Sequence, residues 1–529
     1  MEKRVLIAVI LSIAVLYAFS YIFPPPAAIR KTGGPVSAVQ SQPSSAKPPV
    51  TNVGTATATP QVNLATRDIV VDTELYTAVF STRGAGLKSL SLKHYKDKTG
   101  PTGRDIILKN EADGEKMSLL SEGQNFGLQP GLVFQTVARD LRLTGAEKNS
   151  IDFRVTSPSG ATLSKVYSFT GNGYGITLHE ELVNGGTSRL EGPLALVNYH
   201  RLVTTTGDSR YEVYGPVTLA ADKVVANKVA DVAKESKRFD TNITWTGFAD
   251  KYFMDAVIAE KNSIAGTLIT KSGDNFLQTN IQSPSFSLNP GQSAAVDYHL
   301  FFGPKDLDIL KAQGNRLEEA IDFGWFSALA KPLLRSLKFF HSYTHNYGLA
   351  IIIITIILKV LFFPLTHKSY KAMKEMQKLQ PKMAELKEKF KNDRDAMNRA
   401  VMDLYRTHKV NPMGGCLPML VQIPVFFALY KALMFSIELR HAPFVLWITD
   451  LSAKDPYYVT PVIMGVTMFI QQKMTPTNMD PVQAKMMLAL PVVFTFMFLN
   501  FPSGLVLYWL INNILTIAQQ AYINKSLSA

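Results

Sequence analysis

Between Ile351 and Pro364 the chain reads IIIITIILKVLFFP, a run apolar enough to cross a bilayer with one lysine, Lys359, set inside it. On insertion scales a mid-span lysine costs roughly 3 kcal/mol, while each Leu, Ile, Val or Phe returns about 0.3 to 0.6 kcal/mol. The eleven such residues here outweigh the lysine, so the segment is expected to span. An ionisable side chain at that depth ordinarily faces a bundle interior or a water-filled cavity, and marks function. The plainer alternative is a lysine that snorkels to the near interface, which Pro364 and the Lys368/Lys371 pair leave open. Thr355, one turn earlier on the same face, favours the cavity.

That run has company. The chain has 529 residues and is 47% hydrophobic, with the apolar residues concentrated in the first 23 positions and beyond about residue 340. The middle reads as soluble, so the expected class is a polytopic α-helical membrane protein with one large extramembrane part. A net charge of +13 invites nucleic acid, but the basic residues gather beside the spans. There they orient helices and meet anionic lipid. No Walker A loop, zinc spacing or RNA-binding signature is present. DNA, metal and cofactor are therefore not expected, and the single cysteine, Cys416, allows no intrachain disulfide.

Residues 1–23 carry Lys3 and Arg4 before a long apolar stretch, and read as an uncleaved transmembrane anchor with a cytoplasmic N-terminus. Residues 24–60, rich in Pro, Ser, Thr and Ala, form a flexible linker. Residues 61–320 change to short β-type runs: Leu75 to Phe80, Ala161 to Phe169, Ile176 to Val183, Leu194 to Tyr199, Ile264 to Thr270 and Ala294 to Phe302. Such a pattern predicts an all-β sandwich beyond the membrane. Its cluster Gly171-Asn-Gly-Tyr-Gly175 is read as a hairpin turn, since no helix follows to make a phosphate loop. The triplet His179-Glu180-Glu181 is the only local acid/base cluster there, and a strand-face coincidence is preferred to an enzyme site. Residues 321–342 are expected to form an interfacial amphipathic helix, with Leu329, Leu333, Leu337 and Phe340 on one face among Lys331, Arg335 and Lys338.

The remainder, 343–529, reads as a core of five spans. After the first comes a soluble stretch, 367–412, holding twelve Lys and Arg against six Asp and Glu, which positive-inside bias puts in the cytoplasm. Its helical spacing predicts an antiparallel hairpin. Lys371, Lys374, Lys378 and Lys382 give it a basic face suited to a ribosome or anionic lipid. Four apolar segments follow, Leu417 to Ile437, Tyr457 to Gln472, Val482 to Asn500 and Ser503 to Ile523. With the anchor they make six spans and two cytoplasmic termini. Two of them are shorter than the ~20 residues a typical bilayer core needs, which favours local thinning.

Polar residues recur inside these spans. Tyr508, Asn512, Thr516 and Gln519 form a stripe on the last one, with Trp509 and Asn513 beside it. Thr467 and Gln471 pair on another, and Gln422 sits on a third. Interhelical hydrogen bonding accounts for such residues in general. The sharper expectation is that Lys359, Thr355, Gln422 and the stripe converge on one hydrophilic groove, leaving Met464, Met468, Phe469, Phe494, Phe496 and Phe498 on the apolar outer side.

The segments Phe362 to Lys382 (FFPLTHKSYKAMKEMQKLQPK), Asn411 to Tyr430 (NPMGGCLPMLVQIPVFFALY), Glu438 to Tyr458 (ELRHAPFVLWITDLSAKDPYY) and Phe501 to Asn513 (FPSGLVLYWLINN) resemble the YidC/Oxa/Alb family of membrane-protein insertases, in its Gram-negative form. The resemblance runs in order from about residue 325 to 523. It implies a periplasmic β-supersandwich, an inner-membrane location, and a groove open to cytoplasm and lipid. It also implies insertion and assisted folding of nascent membrane proteins, alone or with the Sec translocon, without enzymatic turnover or nucleotide hydrolysis by the insertase. By position, the groove's basic residue falls on Lys359, with Thr355 on the same helix, Gln422 on the next, and the aromatic pair of the last helix on Tyr508 and Trp509. Family members usually carry arginine at the basic position, and lysine, unlike arginine, can lose its proton when desolvated. The tail after the last span holds only Lys525 as a charge, so ribosome contact is expected at the hairpin. An ion-coupled transporter using Lys359 is the competing reading. It would show internal repeats or interrupted helices in matched positions, and the sequence has neither.

Overall fold

A computed structural model describes residues 65–526 apart from 111–115, 203–213, 262, 391–392, 409–416 and 476–480. The expected anchor and linker, 1–23 and 24–60, lie outside the described residues. Everything below belongs to one compact unit, Leu64–Ala529.

The first half is built by two-residue alternation. In Ala161–Thr170 the side chains of Leu163, Lys165, Tyr167 and Phe169 are buried while their neighbours are not, the pattern of a strand with one covered face. It pairs antiparallel with Gly175–Asn184 across the Gly171–Gly175 turn, which is therefore a hairpin connection. These two belong to an eight-stranded sheet that runs, edge to edge, Lys223–Ala226, Gly215–Ala220, Ile243–Ala249, Phe253–Ala259, Ser293–Pro304, Gly175–Asn184, Ala161–Thr170 and Lys148–Thr156. Two five-stranded sheets pack against it. One, centred on Tyr76–Ser81, meets it where the rings of Phe80 and Tyr167 lie 4.7 Å apart. The other contains Ala195–Arg201 and meets it where Asn198 donates to Asp255 at 3.1 Å. The result is a β-sandwich, with strands at each of the six runs that the sequence pattern marks.

Alternation also takes the His179-Glu180-Glu181 triplet apart. Glu180 points into the core, where Lys165 lies 3.4 Å away and Ser121 donates to it. His179 and Glu181 point the other way, His179 onto Asp297 at 2.7 Å. Adjacent residues on a strand face opposite sides, so the three cannot act on one substrate. The Lys165–Glu180 pair is structural: Lys165 also donates to the Leu119 carbonyl at 2.6 Å, which helps offset desolvation.

The second half is helical. Two short helices, α1 (Val229–Lys234) and α2 (Leu307–Ala312), lie within and after the sandwich, followed by α3 (Ser327–Thr344), α4 (Tyr347–Lys378), α5 (Gln380–Lys389) and α6 (Arg394–Thr407). Then come α7 (Leu417–Phe435), α8 (Val459–Met474), α9 (Pro481–Phe498) and α10 (Ser503–Ser526), which fill the four later apolar segments. Helix α4 has 32 residues and is long and apolar enough to cross a membrane. At ~1.5 Å per residue it is roughly 48 Å long, well beyond a ~30 Å hydrocarbon core. The first run of the expected hairpin is thus largely the extension of α4 itself. Pro364 does not end it. Pro381 does, because its missing N–H and the restraint it puts on Gln380 stop the hydrogen-bond ladder. Helices α5 and α6 then lie side by side, with Tyr405 donating to the Met383 sulfur at 3.2 Å.

Two faces differ from expectation. On α3 the buried stripe is Ala330, Leu334 and Leu337, against α4 and α7, while Leu329 is exposed together with Phe339 and Tyr343. The helix has two apolar faces, and spacing alone does not say which is covered. Met464 and Phe498, expected on the outside, are buried; Phe469 and Phe496 are exposed as expected. Phe498 is drawn in by Trp509, 5.1 Å away.

Lys338 joins the halves. From α3 it reaches Asp306 at 2.9 Å and Asp308 at 2.6 Å below the sandwich, and Glu438 at 3.2 Å in the loop after α7. Burial alone would lower its pKa, but these three carboxylates raise it above the usual lysine value. Arg440 of the same loop sits over the rings of Tyr252 and Phe253 in the sandwich.

Candidate functional site

Helices α4, α7 and α10 enclose a narrow cleft of about 20 Å³. Thr355, Lys359, Gln422, Tyr508 and Asn512 line it, joined by Leu358, Phe362, Thr366 and Val425. Five of the residues singled out in the sequence are therefore brought together.

The side chains are positioned by one another. Lys359 Nζ donates to Thr516 Oγ1 at 2.7 Å, and the Thr516 hydroxyl donates to the Asn512 carbonyl one turn earlier at 2.6 Å. Asn512 Oδ1 accepts from Gln422 Nε2 at 3.1 Å. A single turn of α10 thus holds a polar residue from each of the other two helices. Thr355 returns its own hydroxyl to the Ile351 carbonyl at 2.7 Å, so its oxygen keeps acceptor capacity. Among the described residues no carboxylate pairs with Lys359. An ammonium offers three N–H donors, and one protein acceptor leaves capacity for a guest.

Thr516 supports the cleft from behind without lining it. Trp509 stands apart, among Phe426 (4.7 Å), Phe494 (6.3 Å) and Phe498 (5.1 Å), where it welds α7, α9 and α10 together. The stripe on α10 is in fact two stripes. Asn513 donates to Thr467 at 3.3 Å and Gln520 to the Met474 carbonyl, so this second set ties α10 to α8 in the manner of ordinary interhelical bonds. Gln519 is buried beside them.

Of the four lysines marked for a ribosome or lipid, Lys371, Lys378 and Lys382 are exposed. Lys374 instead donates to the Asn524 carbonyl near the end of α10 at 3.3 Å, where a helix end favours a cation. Thr366 is a lining residue that the sequence reading passed over. It lies seven residues beyond Lys359, on the same helical face, and that spacing could have identified it.

Comparison with known proteins accounts for nearly the whole chain. The family model described as YidC periplasmic domain matches residues 68–336, and that described as 60Kd inner membrane protein matches 339–529. A protein of Geotalea daltonii named Membrane protein insertase YidC is 78% identical over 530 residues, covering 100% of both chains. Proteins of the same name from Geotalea uraniireducens and Geobacter sulfurreducens are 68% and 57% identical, the first covering 100% of both chains, the second 100% of this chain and 99% of the relative.

Proposed function

Because the chain belongs to the YidC family of membrane protein insertases, we propose that it inserts nascent membrane proteins into the inner membrane through the cleft around Lys359. The observation that carries this reading is a lysine on a membrane helix, without a carboxylate partner among the described residues, inside a polar cleft shared by three helices. Its spare N–H donors solvate a passenger's carboxylates and carbonyls, which lowers the cost of bringing a polar segment into the bilayer. Once there, an acidic segment is driven outward by the membrane potential, at about 2.3 kcal/mol per charge per 100 mV if it crosses the whole field. The passenger's apolar helix leaves sideways, along exposed Val462, Val466, Val492, Val493 and Phe496 on α8 and α9, into lipid. No covalent step is involved.

The topology that goes with this reading has six spans: the segment at 1–23, then α4, α7, α8, α9 and α10, with both termini in the cytoplasm and the β-sandwich, 61–320, in the periplasm. Residues 24–60 link the two, α3 lies along the outer interface, and 343–529 is the insertase core. Helix α8, with 16 residues, is roughly 24 Å long and shorter than a ~30 Å core, which supports local thinning. Lys371, Lys378 and Lys382, exposed beyond the inner end of α4, meet ribosome or anionic lipid, and the chain acts alone or with the Sec translocon.

The test is insertion of a single-span protein with an acidic tail into proteoliposomes that contain only this chain. Lys359→Gln is expected to lower the inserted fraction about tenfold, the worth of a charged hydrogen bond, while Lys359→Arg preserves it. Equal insertion by all three proteins would remove Lys359 from the mechanism.

A further inference from the structure

The loop between α7 and α8 ends in a tip where two apolar side chains stand in the open, Val445 at 48% and Leu446 at 83% exposure. The backbone there is a tight turn: Ile448 N–H donates to the Val445 carbonyl at 3.1 Å and Phe444 N–H to the Ile448 carbonyl at 2.9 Å. Leu446 takes φ +55°, the left-handed conformation that turns of this kind normally give to Gly, Asn or Asp. A leucine in that conformation persists only where its surroundings over-determine it.

The surroundings are the starts of two membrane helices. Asn346, whose Oδ1 caps α4 by accepting from Leu349 N–H, uses its Nδ2 to hold the Phe444 carbonyl at 3.0 Å. The Phe444 ring packs so closely on α4 that a Cβ at Gly348 would lie 2.0 Å from it. On the other side Trp447 Nε1 donates to Asp455 Oδ1 at 3.0 Å, and Asp455 Oδ2 accepts from Thr460 N–H in the first turn of α8 at 2.8 Å. The same residues that start α4 and α8 therefore fix the tip between them. Beside it, Tyr457 is 70% exposed, its ring 6.3 Å from that of Trp447, the residue types that collect at a membrane interface.

We propose that Val445 and Leu446 form a fixed apolar anchor seated in the outer-leaflet interface of the bilayer. This rests on the reading that α4 and α8 begin at the outer face. A rigid tip that presents leucine where a turn calls for glycine gains by burial in lipid what it loses in backbone strain. Seated there, it would hold the outer end of the three-helix bundle at a set depth.

The experiment uses the full chain with Cys416→Ser, reconstituted in nanodiscs of phosphatidylethanolamine and phosphatidylglycerol. Single cysteines carry a fluorophore at Leu446, at Val445 in case the first substitution disturbs the turn, at Val360 as a mid-span control, and at exposed Val137 in the sandwich as an aqueous control. Labels at 445 and 446 are expected to lose most of their emission to nitroxide lipids labelled near the headgroup and little to aqueous iodide. Behaviour like that of Val137 overturns the anchor. So does protection from both quenchers, which would mean a protein covers the tip. If the Val360 label escapes a second nitroxide lipid that carries its label deep on the acyl chain, the span reading fails, and the two failures are told apart by that control.

Discussion

In the proposed mechanism Thr516 is a positioning residue, and one methyl group can test it. Thr516→Val keeps the shape but removes the oxygen that accepts from Lys359 at 2.7 Å. Insertion of the acidic-tailed substrate is expected to fall about tenfold, Thr516→Ser is expected to restore it, and adding Thr516→Val to Lys359→Gln is expected to cost nothing more. Groups that act as a unit are non-additive, so independent, additive losses would assign Thr516 another role. A second residue of interest lies in the sandwich. His200 is buried, stacked on Phe248 at 4.5 Å, with Lys109 and Asp255 at 3.1 and 3.3 Å from its Nδ1. Burial lowers its pKa, the Asp255 charge opposes this and the Lys109 charge adds to it, leaving it below 6.5. In the unfolded chain histidine titrates near 6.5, so the unfolded state takes up the proton first and stability falls as pH drops below that value, by about 1.4 kcal/mol per unit of depression. Asp255 acts in a separate, more acidic window. Burial would raise it, but His200 and Lys109 hold it down to about 2. Thermal unfolding of the full chain at pH 7.5 and 5.5 should show a larger loss for the parent than for His200→Gln. That the sequence named Lys359, Thr355, Gln422, Tyr508 and Asn512 together reflects how costly polar residues are in a span, which makes each conspicuous. His200 had no such contrast, since a histidine in a β-run is unremarkable until its neighbours across the sheets are known.

Among the elements, the strands were the most legible, because a covered face writes a period of two into the chain. Helix ends were less so. Pro364 and Pro381 look alike in the sequence, yet α4 runs through the first and stops at the second. In the bundle one proline within a long ladder removes a single bond, whereas the missing N–H of Pro381 closes α4 and a new helix, α5, starts beside it. Contact between helices was legible where polar residues meet inside spans, as around Lys359, and not where apolar faces pack. Gly465 of α8 shows this: a Cβ there would lie 2.0 Å from the Thr495 hydroxyl of α9. Gly465→Leu is expected to force the two apart and to destabilise the detergent-solubilised protein by about 1 to 3 kcal/mol, read as a lower midpoint in thermal unfolding. An unchanged midpoint would mean that α8 and α9 do not meet at that residue.

For the molecule as a whole, the sequence announced a sandwich and a set of membrane helices but was silent on how they join. The answer lies in side chains far apart in the chain: Lys338 with its three carboxylates, and Arg440 on the rings of Tyr252 and Phe253. Nothing in local spacing marks these as partners. They seat the sandwich over the loop that also ties down the starts of α4 and α8, so the cleft is built against a braced outer end. In the proposed mechanism, insertion depends on whether a passenger enters between α4, α7 and α10. A photo-reactive residue at position 355 or 508, both lining the cleft, is expected to capture a ribosome-bound single-span protein during its insertion. Adducts with lipid alone at both positions would contradict the cleft as the route.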